Sequence, residues 1–113
     1  MMSIRILRHR IFVLLVLAAV LVAMLGGTAL ARQTIRARDN RFAPKRVSVS
    51  RNERVIWRNA GNNDHTVTAF GGGWSKDVRL DPGETTRFRF DQNGIYRYRC
   101  KIHANMDGRI RVG

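Results

Sequence analysis

The chain cannot close an internal disulfide, because its 113 residues include a single cysteine, Cys100. It is also short of carboxylates, with 8 Asp and Glu against 21 Lys and Arg and a formal net charge of +13. Beyond residue 31 no run of 3.6-residue apolar periodicity is long enough for a helix, so the basic helix of many nucleic-acid-binding modules is missing. No aromatic platform for stacking bases stands out either. Nucleic acid is therefore not the expected partner of the positive charge.

The first 31 residues have the organisation of an export signal. Arg5, Arg8 and Arg10 form a positive n-region, Ile11 to Leu25 is an uninterrupted apolar run, and Ala29-Leu30-Ala31 is a small-residue site that would be cut before Arg32. The apolar run is shorter than the roughly 20 residues of a spanning helix, so a cleaved signal helix is expected, with a membrane anchor through residues 11–30 as the alternative. His9 separates Arg8 from Arg10, which removes the twin-arginine signature and points to general secretion into the periplasm or an equivalent compartment.

The remaining stretch, residues 32–113, is the size of one domain. A domain this small has little core, and small exported proteins usually add disulfides or a metal to compensate. With disulfides excluded, a metal is the remaining device, and Cys100 is a candidate ligand.

Short alternating segments broken by turn residues predict an all-β sandwich. Strands are expected at Thr34–Arg38, Arg46–Ser50, Arg54–Asn59, Asp64–Phe70, Thr85–Phe90, Gly94–Cys100 and Gly108–Val112. Phe42-Ala43-Pro44 reads as a connection, since proline is excluded from a central strand. Asn52 is placed where a turn wants a positive φ, Gly71-Gly72-Gly73 is a break, and Asp81-Pro82-Gly83-Glu84 is a strong turn. The period of two puts Val55 with Trp57, Phe88 with Phe90, and Tyr96 with Tyr98 and Cys100 on inward faces. The four tryptophans and tyrosines, Trp57, Trp74, Tyr96 and Tyr98, are assigned to packing.

The last hairpin carries the chemistry. Cys100-Lys101-Ile102-His103-Ala104-Asn105-Met106 presents a thiol, an imidazole and a thioether at three-residue intervals. With His65 they make a His₂Cys set plus Met, the combination that holds a redox-active copper with a weak axial thioether. Outside the signal segment the chain has one Cys, two His and one Met, and each is used. Zinc accepts the same N and S donors but gains nothing from the thioether. Four protein ligands leave no open position for substrate, and no nucleophile–base pair or second metal cluster is visible, so the chain is not read as an enzyme.

Around these residues the chain resembles the cupredoxins of the plastocyanin and amicyanin group. The resemblance rests on Asp64-His65-Thr66-Val67-Thr68, on Leu80-Asp81-Pro82-Gly83-Glu84-Thr85, and on the run from Gly94 through Cys100 and Met106 to Gly108. Phe42-Ala43-Pro44 and Val55-Ile56-Trp57-Arg58-Asn59 match the group's N-terminal half, and the short ligand loop is most similar to amicyanin. The resemblance implies a Greek-key sandwich, one type 1 copper held by His65, Cys100, His103 and Met106, and one-electron transfer by a monomer. It also implies a buried His65 and a surface His103. Two positions depart from the group: Thr66 stands where many relatives have Asn, and Ala104 where amicyanin-like loops place Pro. Both are expected to alter the reduction potential or the hold on His103 without removing the site. A copper-binding or delivery protein would use the same four ligands and is the alternative function.

Arginine-rich strands suggest how such a protein would meet others. Arg97 and Arg99, with Arg109 and Arg111 on the return strand, share an outer face, and like charges opposite one another are unfavourable unless something answers them. Glu53 or Asp91 could do so from within the fold. Otherwise the basic surface is either a solvated face that reflects a general arginine bias or one that would steer an acidic redox partner, a cytochrome or dehydrogenase, or rest on an anionic membrane.

Overall fold

Alternation of apolar and charged side chains builds nine strands within residues 31–113, the part of the chain that the computed structural model describes. They are β1 (Arg32–Arg38), β2 (Arg41–Ala43), β3 (Arg46–Val49), β4 (Arg54–Asn59), β5 (His65–Gly71), β6 (Asp77–Leu80), β7 (Thr85–Arg89), β8 (Gly94–Arg99) and β9 (Asp107–Val112). The signal segment 1–31, apart from Ala31, and the alternative anchor through residues 11–30 lie outside the described residues. Among the described residues no helix is long and apolar enough to cross a membrane.

Two sheets pack face to face, one ordered β2-β1-β4-β7 and the other β3-β9-β8-β5-β6. The chain crosses between them at β2 to β3, β3 to β4, β4 to β5, β6 to β7 and β7 to β8, which is the expected all-β Greek-key sandwich. The β1–β4 and β3–β9 pairs are parallel and the others antiparallel.

The core lies between the inward residues of the two sheets. Ile35, Ala37, Phe42, Val55 and Trp57 from one sheet meet Val67, Leu80, Tyr96, Tyr98, Ile110 and Val112 from the other, all buried. Trp57 packs edge-on against Tyr98 at 5.4 Å between ring centroids, and Tyr98 packs edge-on against Phe42 at 4.8 Å. Trp74 stacks over Trp57 at 6.1 Å and extends the cluster to Phe88 and Phe90. Edge-to-face and offset contacts of this kind add about 0.5–1.5 kcal/mol each beyond the area they bury, which helps a core with no disulfide to support it.

Several local features differ from the pattern-based reading. Residues 41–43 are a short edge strand, closed by a cis Ala43–Pro44 bond. Strand β6 is not predicted: its four residues, Asp77-Val78-Arg79-Leu80, do alternate, but the run is at the shortest length for which alternation marks a strand. Gly72, in the expected break, is tied by a close approach: its φ is +99°, and a Cβ there would run into the Ile95 carbonyl. Asn52 has the expected positive φ, 64°.

Candidate metal centre

Strand pairing brings the distant ligands together. β5 and β8 are antiparallel neighbours with Thr68 opposite Arg99. His65 opens β5 and Cys100 follows β8 immediately, so 35 residues of sequence separation collapse to one end of the sheet. The ligand loop leaves β8 at Cys100 and turns back to β9, closed by the Cys100 amide donating to the Met106 carbonyl at 2.9 Å. Asn105 supplies the reversal with φ 58°, a conformation that asparagine tolerates better than most residues.

The donor atoms converge. His65 Nδ1 is 3.8 Å and His103 Nδ1 is 3.5 Å from Cys100 Sγ, and the ligand atoms of the three residues all lie within 4.8 Å of one another. Metal–nitrogen bonds of about 2.0 Å and a metal–sulfur bond of about 2.3 Å, spread by tetrahedral to trigonal angles, require N···S separations of roughly 3.5–3.8 Å. The observed spacing fits. His65, Cys100 and Met106 are buried, while His103 is half-buried. Met106 shares with Cys100, His103, Ala104 and Phe70 the lining of a single depression at this end of the molecule. All four residues expected from the sequence are thus brought to one place, positioned as a type 1 copper site.

Three groups support the ligands, and of these the sequence singles out only Thr66, as a departure from the group's usual Asn. Asp39, in the β1–β2 turn, brings Oδ1 to 3.4 Å from His65 Nε2 and also accepts the amides of Asn62 at 2.8 Å and Asn63 at 3.1 Å. These amide bonds, Asn63 first, hold its carboxyl below the usual range, so it is an anion facing the ring. Burial pushes the His65 pKa down, against the opposing pull of Asp39, so the ring is neutral. With its hydrogen on Nε2 toward Asp39, Nδ1 presents a lone pair to the site.

Asn59 is the second support. Its buried amide donates to the carbonyls of Asn63 and Leu80, at 2.8 and 2.9 Å, and accepts the Gly61 amide at 3.0 Å. It therefore ties the 60–64 loop, which leads into His65, to the start of the β6–β7 turn.

Thr66 is the third, and it shows what a threonine does where relatives carry Asn. Its backbone amide points at Cys100 Sγ from 3.4 Å, and its hydroxyl accepts the Lys101 amide at 2.8 Å. Having accepted there, the hydroxyl donates to Thr68 Oγ1 at 2.9 Å, which donates to Asp77 Oδ1 at 2.9 Å. The Lys101 ammonium completes the ring on Asp77 Oδ2 at 2.7 Å. The residue after the thiol is thus held through backbone and side chain at once.

A two-sheet sandwich with a thiolate, two imidazoles and a thioether converging at one end defines a small metal-binding β-domain of the blue-copper type. The sequence model of the cupredoxin-like domain matches residues 11–112, and the chain belongs to that family. Among solved structures it is similar to amicyanin from Paracoccus versutus, with 20% identity and a TM-score of 0.66 over 78% of this chain and 87% of that one. It is similar also to oxidised plastocyanin from the fern Dryopteris crassirhizoma, with 21% identity and a TM-score of 0.63 over 72% and 100% of the two chains. A copper-containing nitrite reductase from Thermus scotoductus shares 27% identity at a TM-score of 0.69, over 78% of this chain but 24% of the reductase. No curated protein matches the sequence.

Proposed function

We propose that the protein is a small exported blue copper protein that shuttles single electrons between redox partners. The observation that carries this reading is the convergence of His65 Nδ1 and His103 Nδ1 on Cys100 Sγ, at 3.8 and 3.5 Å, beside buried Met106. Copper held by these four side chains would supply a one-electron couple. The scaffold supplies what fast exchange needs, namely little movement: His65 is held by Asp39 and the residue after the thiol by Thr66.

His103 is the ligand a partner would reach, since exposed Phe70 and Ile102 flank that end and His65 is buried. The arginines of the last hairpin support electrostatic steering. Arg97 lies directly opposite Arg109, and none of Arg97, Arg99, Arg109 and Arg111 forms an ion pair among the described residues. An acidic cytochrome or dehydrogenase is the class of partner that fits. Full coordination by protein also favours a carrier over an enzyme, although the likeness to part of a nitrite reductase shows that such domains occur within larger catalysts.

Copper loading tests the proposal. The loaded protein is expected to show intense thiolate-to-copper absorption in the visible, abolished by Cys100→Ser, and a colourless loaded protein refutes it. Rapid electron exchange with a partner, slowed by salt, separates a carrier from a delivery protein, which would instead release its metal to a chelating acceptor.

A further inference from the structure

Charge on the four-stranded sheet is segregated more completely than composition requires. On its outer face Arg32, Arg54 and Arg89 stand in one cross-strand row, Arg36 stands beside Arg58 in another, and Arg38 is opposite Arg41. Arg87 fills the row between, next to Ile56. All are exposed except half-buried Arg54. None of the chain's eight carboxylates sits on a strand of this sheet; Asp77 and Asp107 are on strands of the other sheet and the rest are in turns and loops. Among the described residues no arginine of this face has an ion-pair partner.

Directly opposed like charges destabilise a sheet, and here three arginines abreast in one row are joined by the opposed pairs Arg36–Arg58 and Arg38–Arg41, with no counterion from the fold. A general arginine bias would leave carboxylates scattered among the arginines, and here there are none. We infer that the outer face of the β2-β1-β4-β7 sheet is a docking surface for an anionic phospholipid bilayer.

The shape and chemistry of the face favour a headgroup layer over other polyanions. Three strand spacings make it about 14 Å wide and open. Arg36, Arg38 and Arg58 line one shallow depression on it, and Arg54, Arg87 and Arg89 line another, each offering several guanidinium donors to phosphate oxygens. Asp39 borders the first depression but is engaged by the amides of Asn62 and Asn63 and by His65. The face carries no exposed aromatic on which bases could stack; Ile56 on it and Phe88, which borders the second depression, are both half-buried. It therefore offers no exposed aromatic or aliphatic anchor of the kind protein interfaces are built around. Docking by this face would leave the His103 end and the second sheet open, and it does not depend on the metal.

Arginine labelling of the full chain tests the assignment. The protein is treated with phenylglyoxal alone, with phosphatidylcholine vesicles, and with vesicles containing phosphatidylglycerol, and labelled peptides are quantified by mass spectrometry. Anionic vesicles are expected to lower labelling at Arg36, Arg58, Arg87 and Arg89 at least about fivefold, to spare Arg97 and Arg109, and to lose this effect in about 1 M salt, where the Debye length is about 3 Å. The double variant Arg36→Gln, Arg58→Gln should raise the lipid concentration for half-protection of Arg87 and Arg89 roughly 25-fold, at about fivefold per arginine. Arg97→Gln, Arg109→Gln should leave it unchanged. Protection that is absent, equal on both faces, or equal with neutral vesicles overturns the inference. So does stronger protection by a single-stranded oligonucleotide or by polyglutamate at equal charge, which would reassign the face to nucleic acid or to an acidic protein.

Discussion

Asp39 Oδ1 lies 3.4 Å from His65 Nε2, while the other nitrogen of the same ring, Nδ1, faces Cys100 Sγ at 3.8 Å. A turn residue on one sheet thereby orients a ligand on the other. The contact also explains Gly61, because a Cβ at that position would collide with the Asp39 carboxylate.

Removing this carboxylate should loosen the metal without unfolding the protein. Asp39→Ala is expected to weaken copper binding roughly 10- to 100-fold, as loss of a ligand's hydrogen-bond partner typically does. Competition against a chelator measures it. Asp39→Asn keeps an acceptor and should recover most of the affinity; equal loss in both variants would show that the charge, not the acceptor, matters.

Thr66→Val deletes the hydroxyl that accepts the Lys101 amide and links to Thr68 and Asp77. Leaving a partly buried donor unpaired costs about 1–3 kcal/mol, read as a lower urea midpoint. The backbone amide to Cys100 Sγ survives, so colour should persist with a shifted reduction potential, and Thr66→Ser should restore both values. An unchanged potential in Thr66→Val would remove the hydroxyl from the account of the site.

Gly108 is opposite Tyr98 across the β8–β9 pair, with the phenol ring lying where a Cβ would project. Its φ is ordinary, so glycine is needed here for space and not for backbone freedom. Gly108→Ala should destabilise by about 1–3 kcal/mol, the usual cost of overpacking. The companion change Tyr98→Leu should relieve most of that increment, which a double-mutant cycle in urea would show.

Tyr98 also governs alkaline stability. Burial raises its pKa well above the ordinary phenol value, only weakly opposed by the neighbouring Trp57 indole, and among the described residues neither its hydroxyl nor that indole N–H makes a hydrogen bond of ordinary geometry. Below about pH 10 the phenol is neutral in both folded and unfolded chains. Above it the unfolded chain releases the proton that the folded one retains, so stability falls by up to about 1.4 kcal/mol per pH unit. Tyr98→Phe should flatten this slope and cost little at pH 7, since no bond is lost. An unaltered slope in the variant would assign the alkaline loss elsewhere.

Much of this was legible from residue order. The inward faces of β4, β8 and β9 follow from alternation, and the Asn52 and Asp81–Glu84 turns from their residue types. Cys100, His103 and Met106 announce themselves by spacing within one loop. Strand β6 was missed because its alternating Asp77-Val78-Arg79-Leu80 is only four residues long, too short to stand out from a turn-rich stretch. Asp39 looks like any turn aspartate and Asn59 like any residue at the end of a strand, and only their partners, 26 and 21 residues away, reveal them. Glu53 and Asp91, candidates to neutralise the last hairpin, form no ion pair with its arginines. Opposite Arg99 the register places Asp107, not another arginine.

By itself the sequence determined the donor set and the alternation of each strand, since both depend on the identity and spacing of near neighbours. Which strands lie side by side was decided only by tertiary structure, because pairing is set by packing between residues far apart in the chain. That pairing carried His65 to Cys100 and Asp39 to His65. It also gathered arginines from β1, β2, β4 and β7, each unremarkable within its own strand, onto one face.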